Sequence, residues 1–214
     1  MSIAQNPLLG PMRKSMGNFT TMSYNGRNIV RSKAFFVKRK KTDAQKNQIQ
    51  KMTLLAGVYR SFGGITDAGF VENRKGKSPY NLFISANFNS AFDCTGEAPV
   101  VSYPMVLVSK GTLPKVSVSG GVLESEGIRI SYASDLSLPY VSGSDQLIAF
   151  IRTTKGELRR AVQIRGTEKV GSMLIPFPGR TIEEVVCCYV FALSADGKKS
   201  SKSVYVPLKS IEEL

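Results

Sequence analysis

The sequence predicts a mainly β protein, with a small α+β N-terminal part over residues 1–95 and a C-terminal β-sandwich over residues 96–214. Three observations predict it. From about residue 96 short alternating apolar runs recur, separated by Gly, Pro, Ser or Asp-Gly turns. An Asn25-Gly26 pair stands between two β-prone segments. Two helix-start signals, Thr42-Asp43-Ala44-Gln45 and Ser78-Pro79, both fall in the first part.

Residues 1–17 carry Pro7, Gly10, Pro11 and Gly17 without clean periodicity and read as an irregular arm. Asn25-Gly26 supplies the two positive φ angles of a type I′ turn, so Asn18–Tyr24 and Arg27–Val37 form a hairpin. The two-residue loop sets the register: Tyr24 opposite Arg27, Met22 opposite Ile29, Thr20 opposite Arg31. One face of the ribbon then mixes aromatic, apolar and guanidinium groups. Thr42 with Gln45 has the form of a capping box and starts a helix running to about Phe62. Gln48/Ile49, Met52, Leu55/Ala56, Tyr59 and Phe62 share a stripe, with Leu54 off it, and Gly63-Gly64 stops the helix. Ser78 and Pro79 suit N-cap and first helical position for a second helix, Tyr80–Phe92. Arg74-Lys75-Gly76-Lys77 forms a basic loop between the helices, and Thr95–Pro99 reads as a linker.

The expected strands are Met105–Ser109, Val116–Ser119, Ile128–Tyr132, Leu147–Thr153, Ala161–Ile164, Met173–Pro176, Val185–Leu193 and Val204–Leu208. Gly120-Gly121 reads as a turn. Tyr189–Leu193, the Ser194-Ala195-Asp196-Gly197 turn and Ser200–Val206 look like the final hairpin of a fibronectin type III or immunoglobulin-like sandwich. Tyr189 then falls roughly where such folds place a corner tyrosine.

Composition narrows the chemistry. Hydrophobic residues make up 42% of the 214 and charged residues 21%, a globular balance. The N-terminus lacks the apolar run of about 7–15 residues of a signal peptide. No stretch approaches the roughly 18 consecutive apolar residues of a membrane span. The chain is therefore expected to be made without export, cytoplasmic or in a virion. Its three cysteines, Cys94, Cys187 and Cys188, fit small buried hydrophobes better than a disulfide frame. There is no histidine, which removes His-based triads and His-ligated metals. Neither a GxxxxGK[ST] loop nor a GxGxxG motif occurs. The acidic pairs Glu124/Glu126 and Glu183/Glu184 read as solvated turns. The expectation is a protein that is not an enzyme, with no catalytic residue, cofactor or metal site.

The remaining constellation is basic. Net charge is +13, and residues 1–95 hold fifteen Lys/Arg against four acids, whereas residues 96–214 hold fourteen against twelve. The candidate polyanion- or partner-binding residues are Arg13, Lys14, Arg27, Arg31, Lys33, Lys38, Arg39, Lys40, Lys41 and Lys46, continued by Lys51. Lys38–Lys41 crowd a helix N-terminus, where the macrodipole disfavours cations and attracts phosphate. A bound anion relieves that repulsion. No base-reading motif accompanies the charge, so nucleic-acid contact is expected through the backbone only.

Asn6-Pro7-Leu8-Leu9-Gly10, Gly17-Asn18 with Asn25-Gly26, Val30-Arg31-Ser32 and Thr42-Asp43-Ala44-Gln45 form a pattern with Tyr80-Asn81, Ala195-Asp196-Gly197 and Ser203-Val204-Tyr205. It resembles an uncharacterised domain-of-unknown-function family of Bacteroidota and their mobile elements. Similar proteins often carry Asn-Pro where this chain has Lys40-Lys41. The arm, basic hairpin and Thr-x-x-Gln helix also look like small phage structural proteins. These resemblances imply a structural or assembly protein, probed against two alternatives: a cytoplasmic sequence-nonspecific nucleic-acid binder and a cell-surface adhesion module. The implied partners are an acidic protein surface or a nucleic-acid backbone, in a homo-oligomer or larger assembly, with no membrane.

Overall fold

The structure is a computed structural model that describes residues 2–4, 14–33, 40–72, 76–93, 96 and 98–209. The chain divides into two compact units, 1–42 and 43–214. The boundary expected at 95/96 falls inside the second unit, because residues 43–93 pack their apolar side chains against the sheets that follow.

The first unit is one antiparallel sheet of β1 (Ser2–Ala4), β2 (Lys14–Met16), β3 (Phe19–Tyr24) and β4 (Arg27–Ser32), in the order β1-β4-β3-β2. Asn25 and Gly26 take φ of 51° and 72°, the left-handed pair that the turn requires. The register pairs Tyr24 with Arg27, Met22 with Ile29 and Thr20 with Arg31, as the two-residue loop dictates. Among residues 14, 15 and 17–33 Thr21 is the one buried side chain, and its hydroxyl donates to the Lys14 carbonyl at 2.7 Å.

The second unit is layered. The helices α1 (Asp43–Ser61), α2 (Ile65–Gly69) and α3 (Pro79–Asn87) precede the two main sheets. One sheet joins β9 (Gln146–Thr153), β10 (Leu158–Ile164), β12 (Val185–Leu193) and β13 (Val204–Tyr205) in the order β10-β9-β12-β13. The other joins β7 (Ser117–Leu123), β8 (Gly127–Ala133), β11 (Val170–Pro176) and β14 (Leu208–Lys209) in the order β11-β8-β7-β14. A two-residue pair, β5 (Phe92–Asp93) with β6 (Val100–Val101), lies between helices and sheets in sequence.

Two cores share the central strands. Leu147, Ala149, Ile151, Cys188, Val190 and Ala192 meet Ile128, Ile130, Met173 and Ile175 of the facing sheet. The alternate residues Ile148, Phe150, Cys187, Tyr189 and Phe191 meet Leu55, Val58, Phe62, Ile65, Phe70 and Phe83 of the helical layer. β9 and β12 are thus covered on both faces, which is why Val185-Val186-Cys187-Cys188-Tyr189-Val190-Phe191-Ala192-Leu193 is apolar throughout instead of alternating with polar residues. The fold is mainly β, with helices on the outer face of one sheet.

Several expectations need correction. Helix α1 forms, but Ile49 and Met52 of its expected stripe are exposed, as is Leu54 off the stripe, and burial begins at Leu55. Gly63, at φ 55°, ends the turn after it. The short helix α2 was not expected. The second helix stops at Asn87, short of Phe92, with Ser78 Oγ accepting from the Asn81 N–H as its N-cap. Met105–Ser109 is not a strand. Its backbone leaves a 3₁₀ turn (Tyr103–Met105) and bonds to side chains, Leu107 N–H to Asn87 Oδ1 and Val108 N–H to Ser203 Oγ. Gly120-Gly121 is not a turn either: it sits in β7 at a register shift, with Gly120 at φ 152°. A side chain at Gly121 would strike Leu208 of the parallel neighbour β14. Finally, Tyr189 makes no local corner; its hydroxyl donates to the Tyr103 carbonyl, 86 residues upstream, at 2.7 Å.

Candidate partner-binding surface

The unit 1–42 contains nine Lys/Arg and no acidic residue, so most of the chain's net charge of +13 lies in its first fifth. Hairpin pairing places Thr20, Met22 and Tyr24 on one face with Arg27, Ile29 and Arg31. Met22, Tyr24, Arg27 and Arg31 are exposed there. Four residues along a strand set the two guanidinium-bearing positions about 13 Å apart. Such a face offers apolar and aromatic area between two planar cations suited to carboxylate or phosphate.

The expected site residues divide among several places. Lys14 is opposite Thr21 and so belongs to the other face of the sheet, with a strained φ of 106°. Lys33 follows β4, its N–H donating to the Asn18 carbonyl at 2.7 Å. Lys40 and Lys41 are exposed just before α1. Lys46, in the second unit, pairs with Asp43 at 2.8 Å, so the acid in the first turn of α1 offsets part of the cation crowding expected there. Arg13, Lys38 and Arg39 lie outside the described residues. Of the ten, Arg27 and Arg31 are the two that pairing brings to one face.

One member of each acidic pair is engaged by a nearby cation. Glu124 accepts from Arg129 Nε at 2.6 Å, which holds its carboxyl below the usual range. Glu184 meets Arg180 at 3.4 Å. Cys187 and Cys188 are buried free thiols; burial pushes Cys187 up to about 12, with Arg152 opposing, and raises Cys188 further. Cys94 lies outside the described residues. Among the described residues no three of Cys, Asp and Glu cluster as metal ligands. No helix among the described residues is long and apolar enough to cross a membrane.

Sequence reasoning missed Arg152 and Tyr103. Arg152 extends the helix-facing row of Ile148 and Phe150 on β9, and its Nη1 donates to Tyr103 Oη at 2.9 Å. Its Nε is buried without a hydrogen-bond partner. A cation interrupting the apolar run Leu147–Thr153 was the available signal.

The architecture is that of a mainly β protein with a helix-backed pair of sheets and a separate, wholly basic small sheet. A family model, described as a family of unknown function (DUF6266), matches residues 11–207, and the chain belongs to this family. No curated protein and no solved structure matches it.

Proposed function

We propose that this protein is a non-enzymatic structural or assembly protein, a virion component of a phage or related mobile element of Bacteroidota, which docks through residues 1–42 on an acidic surface of a neighbouring subunit. One observation carries the reading: the first unit combines nine cations and no acid with a sheet in which no apolar side chain is buried among residues 14, 15 and 17–33. A small sheet gains stability by covering a face, and Met22, Tyr24, Arg27 and Arg31 share one face of this sheet as exposed side chains. The second unit supports a scaffold role. Its chain crosses between the two sheets at β8–β9, β10–β11, β11–β12 and β13–β14, and the first three make a Greek-key course that favours a fibronectin type III or immunoglobulin-like sandwich. The covering helices and the parallel strand β14 are additions to that plan.

The charge also favours a second reading, a cytoplasmic protein that binds nucleic-acid backbone without sequence preference. Salt titration of duplex DNA binding separates the two. Steep loss of a measurable affinity with salt supports the second; negligible affinity at low salt removes it. Recovery of the protein in assembled particles supports the first reading, and a strictly monomeric protein absent from every particle overturns it.

A further inference from the structure

A cleft of about 510 Å³ opens in the second unit between helix α1 and the end of β9, walled by Leu54, Gly57, Val58, Val100 and Val101, with Tyr103 and Arg152 as its polar groups. Its size falls within the range of small-ligand sites. Three features set it apart from a packing fault. Arg152 has no carboxylate partner among the described residues, although it occupies a sheet row otherwise filled by core side chains. Its guanidinium keeps one bond, from Nη1 to Tyr103 Oη, while Nε is buried with none. Buried or half-buried cations ordinarily find an anion, because an uncompensated charge at low dielectric is costly. The second feature is the wall: Leu54 and Val100 are 38% and 63% exposed, apolar area left open beside the cation. The third is Gly57. It lies inside α1, where glycine weakens the helix, yet a Cβ there would meet nothing within 4 Å. Neither a turn nor a close approach requires glycine at this position, and its missing side chain keeps the wall of the cleft open.

We infer that this cleft binds a small monocarboxylate with an apolar body, the carboxylate on the Arg152 guanidinium beside Tyr103 Oη and the body against Leu54, Val58 and Val101. The site is independent of the basic N-terminal sheet and of the docking role proposed for it. A planar guanidinium takes a carboxylate in two parallel hydrogen bonds, and the apolar walls take the body of the ligand. A phosphate, with more charge and no apolar body, fits these walls poorly.

Isothermal titration of the full chain with octanoate tests the site, with 1-octanol as the uncharged control. Saturable octanoate binding is expected, at least about tenfold tighter than octanol, as befits one charge-assisted contact. Arg152→Gln and, separately, Gly57→Leu, which fills the cleft and leaves the guanidinium, each weaken octanoate by at least about tenfold. Far-UV circular dichroism checks that both variants remain folded, and Gly57→Leu alone decides the matter if Arg152→Gln unfolds. Absence of saturable binding, octanol binding as tight as octanoate, or undiminished binding by folded Gly57→Leu would overturn the assignment.

Discussion

Asn87 supplies, from one fully buried side chain, the bonds that a neighbouring strand would otherwise give to Leu107. Its Nδ2 donates to the Phe83 and Leu107 carbonyls at 2.9 and 2.8 Å, and its Oδ1 accepts from the Leu107 N–H at 2.7 Å. Replacing it leaves buried backbone groups unpaired. Asn87→Ala is therefore expected to destabilise the fold by about 2–4 kcal/mol, read as a lower urea midpoint at unchanged slope. The residue was legible in the sequence only as a polar position in an apolar helix; its partner, twenty residues on, required the fold. The thiols and carboxylates set the pH response. Glu124, Asp135, Glu157 and Asp196 are held below their usual values by hydrogen bonds, so their contribution is present at neutral pH and lost only as pH falls below about 4. Cys187 is raised, so its contribution is full below the unfolded thiol value of about 8.5 and is lost as pH rises towards about 12. With no histidine, stability measured by urea unfolding is expected to be flat between about pH 5 and 8.5 and to fall outside that window. A clear transition near pH 6.5 would contradict this.

At the scale of elements, local chemistry was readable wherever it acts locally. Asn25-Gly26 fixed turn type and register together, and Ser78-Pro79 located the start of α3. Patterns whose meaning depends on distant partners were misread. The alternation in Met105–Ser109 is real, since Val106 and Val108 are buried, but side chains of Asn87 and Ser203 satisfy the backbone there. Continuous apolarity in Val185–Leu193 signalled a strand covered on both faces, and hence the helical layer, more strongly than the hairpin signalled an ordinary two-layer sandwich. Gly57 belongs to this scale too. Gly57→Ala is expected to stabilise α1 by roughly 0.5–1 kcal/mol, visible as a higher thermal midpoint, because the new methyl group meets no neighbour.

At the scale of the whole molecule, every buried apolar side chain of the described residues lies between Leu55 and Val206. A fragment of residues 43–214 is therefore expected to fold alone and to melt within a few degrees of the full chain by calorimetry. The concentration of charge near the N-terminus was legible from residue counts. That its largest share falls in a compact unit without one acid was not, because the division after Thr42 is set by tertiary contacts and not by a linker-like composition. Docking is proposed to belong to this basic sheet and not to the sandwich. Binding of poly-L-glutamate, followed by fluorescence anisotropy in low salt, tests it most directly by comparing the full chain, residues 43–214, and the full chain with Met22→Ser, Tyr24→Ser, Arg27→Gln and Arg31→Gln. The full chain is expected to bind, the fourfold variant to lose at least about tenfold in affinity, and residues 43–214 to bind negligibly. Binding by residues 43–214 as tight as that of the full chain would contradict it.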